Sequence, residues 1–298
     1  MIRILGTVFA GLLGLAFGSF LNVCLSRWPE GESIVKPRSH CRNCDHTLAW
    51  WENVPVGSWI ALRGRCRNCR TAIGWRYPLV ELTIAGLWMV PAWQLFGEVP
   101  NPDLPAIYVW DDLLLAFAWM LFYFLVVALA ILDAEHLWLP DRITLPGIPI
   151  GCLFSPFHKY LLAVSPMKDV TQTTLHVVLW ALASNLLNIA AAAALILVIR
   201  WLYQLIRKRE GIGLGDAKLM AMLAAWLGLP GALLAFGIGA ILGAVIALVL
   251  LAVPAARRGS ETWAATKLPL GTFLCIGGIF SALWGQPVIN AYLHWAGF

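Results

Sequence analysis

Apolar residues along this chain gather into blocks near twenty positions long, the length an α-helix needs to cross a bilayer. The blocks fall at 4–25, 79–96, 113–132, 143–157, 175–203, 217–229, 231–253 and 268–289. Polar and charged residues collect in the segments between them. The pattern predicts an all-α polytopic membrane protein of about eight transmembrane helices. Blocks 143–157 and 217–229 are short, so those helices are expected to be tilted, re-entrant or supported by neighbours. The first block looks like a signal peptide, but its apolar run is too long and no small-x-small cleavage site follows. It reads as a retained first transmembrane helix.

Composition agrees with the pattern. Of 298 residues, 60% are hydrophobic and 12% charged, and mean hydropathy is +0.76. A soluble domain is about half apolar and a quarter charged. The 16 tryptophans suit a chain with many membrane–water interfaces. Nine of the 21 Lys and Arg residues lie between Arg27 and Arg76. In a membrane protein such a cluster marks a cytoplasmic loop, not a nucleic-acid surface. Segment 97–112 holds Glu98, Asp103, Asp111 and Asp112 and no basic residue. Loops 200–216 and 254–267 are basic again, with Arg200, Arg207, Lys208, Arg209, Arg257, Arg258 and Lys267. Eight spans place every basic loop inside and both termini outside. On that count Asp133 closes the third span and Asp216 opens the sixth, at the same cytoplasmic face.

The first basic loop carries CRNC twice, at 41–44 and 66–69. Cys41, Cys44, Cys66 and Cys69 thus form two CxxC turns separated by 21 residues, marginally longer than ordinary zinc-ribbon spacing. Each turn points two sulfurs the same way, and two turns complete a tetrahedral site. Disulfide or redox use is the rival reading. The cytoplasmic side, where thiols stay reduced, favours zinc. Four protein ligands leave no open position, so the metal would be structural. Cys24, Cys152 and Cys275 sit in apolar blocks and read as small buried hydrophobes.

Two stretches concentrate carboxylates. In "ILDAEHLWLPD", 131–141, Asp133, Glu135, His136 and Asp141 meet where an apolar helix ends. In "GIGLGDAKLM", 211–220, alternating glycines lead into Asp216 and then into an apolar helix. An aspartate there is a natural helix N-cap. Capping alone does not need Gly213 and Gly215, which allow another chain to approach the backbone closely. An extended peptide lying against Gly213, Leu214 and Gly215 would bring its scissile bond to Asp216. Lys218 points elsewhere on the helix and reads as a phospholipid headgroup partner. His136 reads as a surface residue, and Asn22, Ser19, Asn185 and Asn188 as interhelical hydrogen-bonding groups.

"GLGDAKLMAMLAAWLG" resembles the GxGD motif of the type IV prepilin peptidases. "LDAEHLWLPDRITLP" is similar to that family's other aspartate motif, with Glu135 where many members have Asp. "GSFLNVCLSRWP", the paired CxxC loop, "WENVP" and "RYPLVE" also fit, in family order. The resemblance implies a bifunctional enzyme of the bacterial inner membrane, with its active site at the cytoplasmic face. Such enzymes cleave the leader of type IV prepilins or type II secretion pseudopilins after glycine. They then methylate the new N-terminal residue, usually phenylalanine, with S-adenosylmethionine. Carried over, the catalytic pair is Asp133 and Asp216. The methyl-donor positions are Glu52, Gly64, Tyr77, Pro78 and Glu81; no Rossmann fingerprint is present to hold the donor otherwise. The implied organisation is a first helix over 1–27, a zinc-binding and methyltransferase loop over 28–78, and a peptidase domain over 79–298. Expected partners are prepilins or pseudopilins and membrane lipids, with no nucleic acid.

Amide hydrolysis by two carboxylates needs one ionised and one protonated. Asp216 starts a helix, where the dipole favours an anion, and Asp133 lies near a helix end, where it does not. The sequence therefore predicts Asp216 as base and Asp133 as acid. A proton-coupled transporter would use such acids as a relay, but no inverted repeat is evident. A non-enzymatic assembly factor would explain the cysteines and leave the glycine-flanked aspartate unexplained.

Overall fold

The structure is a computed structural model that describes residues 1–97, 106–164, 173–208, 213–252 and 268–297. Much of the charge pattern used for orientation, including Glu98, Asp103, Arg209, Arg257, Arg258 and Lys267, lies outside the described residues. So do Gly211 and Ile212.

The described elements are helical: α1 (Ile2–Arg27), a 3-10 turn (Trp50–Asn53), α2 (Gly57–Ala61), α3 (Arg76–Leu95), α4 (Ala106–His136), α5 (Asp141–Val164), α6 (Thr173–Arg207), α7 (Leu214–Ala252) and α8 (Leu270–Trp295). Among the described residues there is no strand, only two isolated β-bridges. Among the described residues, five helical stretches are long and apolar enough to cross a membrane: Ile2–Arg27, Asp112–His136, Val178–Arg207, Leu214–Leu250 and Leu270–Trp295. α3 and α5 are helices too, so every predicted block is helical. The predicted sixth and seventh blocks are one element, α7, folded at Gly228. Its φ of 71° and ψ of 173° break the helix. Glycine takes that conformation without a Cβ clash, and Pro230 just beyond it cannot continue the preceding hydrogen-bond ladder.

The chain forms two compact units, Met1–Ala128 and Leu129–Phe298. In the first unit α1 crosses α3 closely. A Cβ on Gly14 would come 2.7 Å from Ala85 Cα, and one on Gly18 would come 2.6 Å from Glu81 Cα. Small residues bring membrane helices into such contact. The cysteine loop closes onto the same pair. Arg42 donates to Ser26 O at 2.9 Å, and the Val56 N–H donates to Glu81 Oε2 at 2.7 Å. The loop is therefore joined to α1 and α3 in one unit.

In the second unit the first half of α7 is the centre. Leu219 through Ala225 are buried without a break, as expected for a helix that is apolar all round. Polar bonds fix its rotation. Trp226 Nε1 donates to Gly147 O of α5 at 2.9 Å, and Asn185 Nδ2 of α6 donates to Ala225 O at 3.3 Å. Beyond the bend, Ser281 Oγ of α8 donates to Gly231 O at 2.9 Å. These contacts hold α7 around its bend against α5, α6 and α8.

Candidate active site and metal centre

The carboxylate site lies in the second unit, where the end of α4 meets the starts of α7 and α8. Asp133 sits one turn before α4 stops. Leu137 then enters the left-handed region with φ 51°, and its N–H bonds Asp133 O at 2.9 Å, closing an αL cap. A leucine there costs roughly 1–2 kcal/mol more than a glycine would. The strain sits beside the carboxylate and sharply redirects the chain into residues 138–140.

Asp133 and Asp216 are buried, 6% and 8% exposed respectively. Buried carboxylates need donors, and both find them through Oδ2. The Thr272 N–H donates to Asp133 Oδ2 at 2.7 Å, with Thr272 Oγ1 3.2 Å from the same oxygen. The Gly213 N–H donates to Asp216 Oδ2 at 3.1 Å. Asp216 is therefore not the cap residue expected from the sequence. It is the third residue of α7 and reaches back to the N–H preceding the helix, as the acidic member of a capping box does. Asp216 lies within electrostatic reach of Asp133, and buried Cys275 of α8 lies within reach of both.

The helix-polarity assignment of acid and base loses its footing here. Asp133 ends its own helix, but its Oδ2 is bonded in the first turn of α8. Both carboxylates thus face helix N-termini, and polarity no longer separates them.

Leu139 completes the site. A Cβ on Gly215 would come 3.1 Å from Leu139 Cβ, and one on Gly271 would come 2.9 Å from Leu139 Cδ1 and 2.9 Å from Asp133 Oδ2. One leucine is packed against two helix starts, and glycine at each is what admits it. Gly215 is thus covered by the protein's own chain on that side, while Gly213 and Leu214 remain exposed. Leu139, Gly271 and Thr272 were missed in the sequence. The available signal was a threonine just inside an apolar helix after Pro269-Leu270-Gly271.

Lys218 does not wait for a lipid headgroup. Its Nζ pairs with Asp141 Oδ1 at 2.6 Å, because α5 and α7 start side by side. His136 is exposed, with Glu135 Oε2 3.9 Å from its Nε2.

The first unit holds the cysteine centre. The duplicated CRNC is a duplicated structure. His40 bridges Thr47 and Arg65 bridges Ala72. The Cys41 N–H donates to His46 O at 2.9 Å and the Cys66 N–H to Thr71 O at 2.9 Å. Asp45 and Arg70 take left-handed φ values of 54° and 61° to close the two knuckles. The four sulfurs all lie within 4.8 Å of one another, and Cys41 Sγ and Cys69 Sγ are 3.7 Å apart. A tetrahedral ion with Zn–S bonds of about 2.3 Å sets its sulfurs about 3.8 Å apart, so the residues fit a metal. None of the four is in a disulfide. The Thr71 hydroxyl and N–H hold the Cys69 thiol down at about 5, while burial and the neighbouring Cys66 and Cys69 sulfurs push the Cys41 thiol up to about 11.

Beside the knuckles lies a cavity of about 770 Å³. Glu52, Tyr77 and Glu81 line it, as do Ser19, Asn22 and Trp59. Of the five predicted donor positions, Gly64 and Pro78 are not in its wall. Gly64 has a φ of 64° and packs under the Trp59 ring; Pro78 is buried in the first turn of α3. Glu52 Oε2 accepts from the Ala49 N–H at 2.8 Å and contacts His46 Nε2 at 3.2 Å. The Ala49 N–H, more than His46, holds this carboxyl below the usual range despite its burial. Glu52 Oε1 and Asn22 Oδ1 are buried acceptors without a protein donor. Two unused acceptors on cavity-lining residues fit a ligand that brings hydroxyl or ammonium donors, and S-adenosylmethionine brings both.

The bacterial peptidase A24 N-terminal domain matches residues 12–95, and the type IV leader peptidase family matches residues 119–248. A protein of Stutzerimonas stutzeri named prepilin leader peptidase/N-methyltransferase is 31% identical, over 96% of this chain and 93% of its own. The chain belongs to the type IV leader peptidase family. Relatives of the same name in Pseudomonas aeruginosa and Burkholderia pseudomallei are 32% and 36% identical, over 96% and 94% of this chain and 93% and 85% of theirs. No solved structure matches the chain. In this multi-pass membrane family, the first match covers both cysteine knuckles and the cavity, and the second covers both aspartates.

Proposed function

We propose that this protein cleaves prepilin-type substrates with Asp133 and Asp216 and methylates them from the cavity of the first unit. The observation that carries the first half is the meeting of two buried carboxylates from distant helices, each held by a helix-start N–H. Two such groups sharing a site do not readily both ionise, so the pair holds one proton. The ionised member takes a proton from water as its oxygen attacks the scissile carbonyl carbon. The protonated member gives its proton to the carbonyl oxygen, forming the tetrahedral species. Collapse breaks the C–N bond, and the departing amine takes up a proton from the pair. Exposed Gly213 and Leu214 offer the backbone edge for the substrate segment.

S-adenosylmethionine supplies the methyl group when bound. Glu52, Glu81 and Tyr77 would hold it in the cavity they line, and the carboxylates of Glu52 and Glu81 would orient the incoming amine. Cys41, Cys44, Cys66 and Cys69 would hold a structural zinc, which would lock the knuckles that carry His46 and hence Glu52. Residues 28–78 face the cytoplasm from the bacterial inner membrane, with the peptidase site at the same face. Substrates are type IV prepilins or type II secretion pseudopilins; lipids surround the spans.

The test is direct. Purified protein is incubated with a prepilin and S-adenosylmethionine, and the product N-terminus is read by mass spectrometry. Loss of cleavage in both Asp133→Asn and Asp216→Asn supports the pair; cleavage retained in both eliminates it.

A further inference from the structure

The Thr272 hydroxyl has one hydrogen and two acceptors before it. Oγ1 is 2.9 Å from Ala130 O and 3.2 Å from Asp133 Oδ2. One hydrogen cannot serve both. The backbone N–H of the same residue already donates to Asp133 Oδ2 at 2.7 Å, so the carboxylate is anchored whichever way the hydroxyl turns. Ala130 and Asp133 stand three residues apart on α4, on one helical face. Thr272, in the first turn of α8, faces both.

We infer that Thr272 is a positioning residue whose hydroxyl rotates between two states and so serves Asp133 both with and without a proton. When Asp133 is ionised, the hydroxyl donates to Oδ2. When Oδ2 carries the proton, the hydroxyl turns to Ala130 O, and a lone pair of Oγ1 accepts the carboxyl O–H. Nothing is gained or lost but a rotation; the proton stays on Asp133 until it goes to the substrate or comes from water. A carboxyl that must be base and acid in one cycle needs a partner that can both donate and accept, which a backbone N–H cannot do. A hydroxyl can. This reading rests on Asp133 being one of the catalytic pair.

The test compares Thr272→Val, which keeps the shape and loses the hydroxyl, with Thr272→Ser, which keeps it. Full-length protein is assayed on a prepilin, with thermal midpoints recorded for each variant. In Thr272→Val, kcat is expected to fall about tenfold, in line with the loss of a hydrogen bond to a charged group, with KM unchanged. Thr272→Ser is expected to stay within about twofold of the wild-type kcat, the spread allowed to hydrogen-bond contributions. In infrared difference spectra against Asp133→Asn, the Asp133 carboxyl band shifts in Thr272→Val and stays in place in Thr272→Ser. Thr272→Ala repeats the comparison if valine disturbs the thermal midpoint. Full activity in Thr272→Val, or an equal fall in Thr272→Ser, overturns the inference and leaves the pair intact. Full cleavage by Asp133→Asn overturns the pair itself.

Discussion

The cysteine knuckles and the aspartate site solve the same problem by opposite routes. Each must hold anionic groups close together. In the first unit the ligands come from two short turns, and the backbone bonds that shape each turn join residues fewer than ten positions apart: Cys41 to His46 and Ser39 to Leu48, Cys66 to Thr71 and Gly64 to Ile73. In the second unit Asp133 is held by a residue 139 positions away. The knuckles are local, and in the proposed function an ion would bring them together. The aspartates are assembled by helix packing, and in the same proposal a shared proton would neutralise the pair. A local motif can be read along the chain; a packed one must be inferred from what the helices do.

The largest effect that tests this contrast is loss of either carboxylate. Asp216→Asn and Asp133→Asn are expected to lower the cleavage rate by about 10²–10⁴-fold, the range for a general acid or base. Methylation of a pre-cleaved substrate should continue in both, because the cavity lies wholly in the first unit. A parallel loss of methylation would mean that the two regions are not separate machines.

Next comes the metal. Structural zinc contributes roughly 10–16 kcal/mol in small zinc domains, so Cys66→Ser or prolonged chelation should unfold the knuckles. Methylation is expected to vanish while cleavage stays within a few-fold, measured on one substrate with both products resolved by mass. Metal analysis of the wild type should give one ion per chain. Zero would return the knuckles to the redox alternative.

Legibility followed the same divide. All eight apolar blocks are helical, and the division between the sixth and seventh falls at the Gly228 bend. The CxxC repeat, its flanking turns and the two aspartates were visible because each is a short, chemically distinctive pattern. Lys218 was misread because the sequence holds no sign that α5 and α7 start together. Gly215 was read as room for a substrate chain, and on one side that room is taken by Leu139; Gly271, which admits the same leucine, was not singled out at all. Thr272 was invisible as a partner of Asp133, since its role exists only after α8 packs on α4. Helix ends also ran past the apolar blocks. α4 continues to His136 and α6 to Arg207, because backbone hydrogen bonding does not stop where the side chains turn polar.

A smaller effect concerns pH at Glu52. The Ala49 N–H holds its carboxyl below the usual range, with His46 assisting. A lowered folded value means the stabilisation is present above the unfolded carboxylate range and is lost as pH falls through the lowered one. Acidification should therefore weaken S-adenosylmethionine binding in the wild type, read by calorimetry. Glu52→Gln should bind about tenfold more weakly at neutral pH, as expected for one lost charge-assisted hydrogen bond. It should also lose the part of the acid dependence that comes from this group. An unchanged affinity in Glu52→Gln would remove this carboxylate from the donor site.

The smallest effect is the Lys218–Asp141 pair. It joins the starts of α5 and α7 in the unit where packing does the assembling, so it asks whether charge contributes there as well. The side chains are 36% and 55% exposed, and exposed pairs contribute under about 1 kcal/mol after screening and side-chain ordering. A double-mutant cycle with Lys218→Ala and Asp141→Ala should give a coupling below that bound, shrinking further at high salt. Cleavage should hardly change, because Asp216 is fixed from its own side by Gly213 and from beneath by buried α7. A coupling well above 1 kcal/mol, or a fall in cleavage shared by both single variants, would mean that the pair clamps the start of α7. The carboxylate site would then depend on an ion pair at its rim, and the contrast with the ion-centred knuckles would narrow.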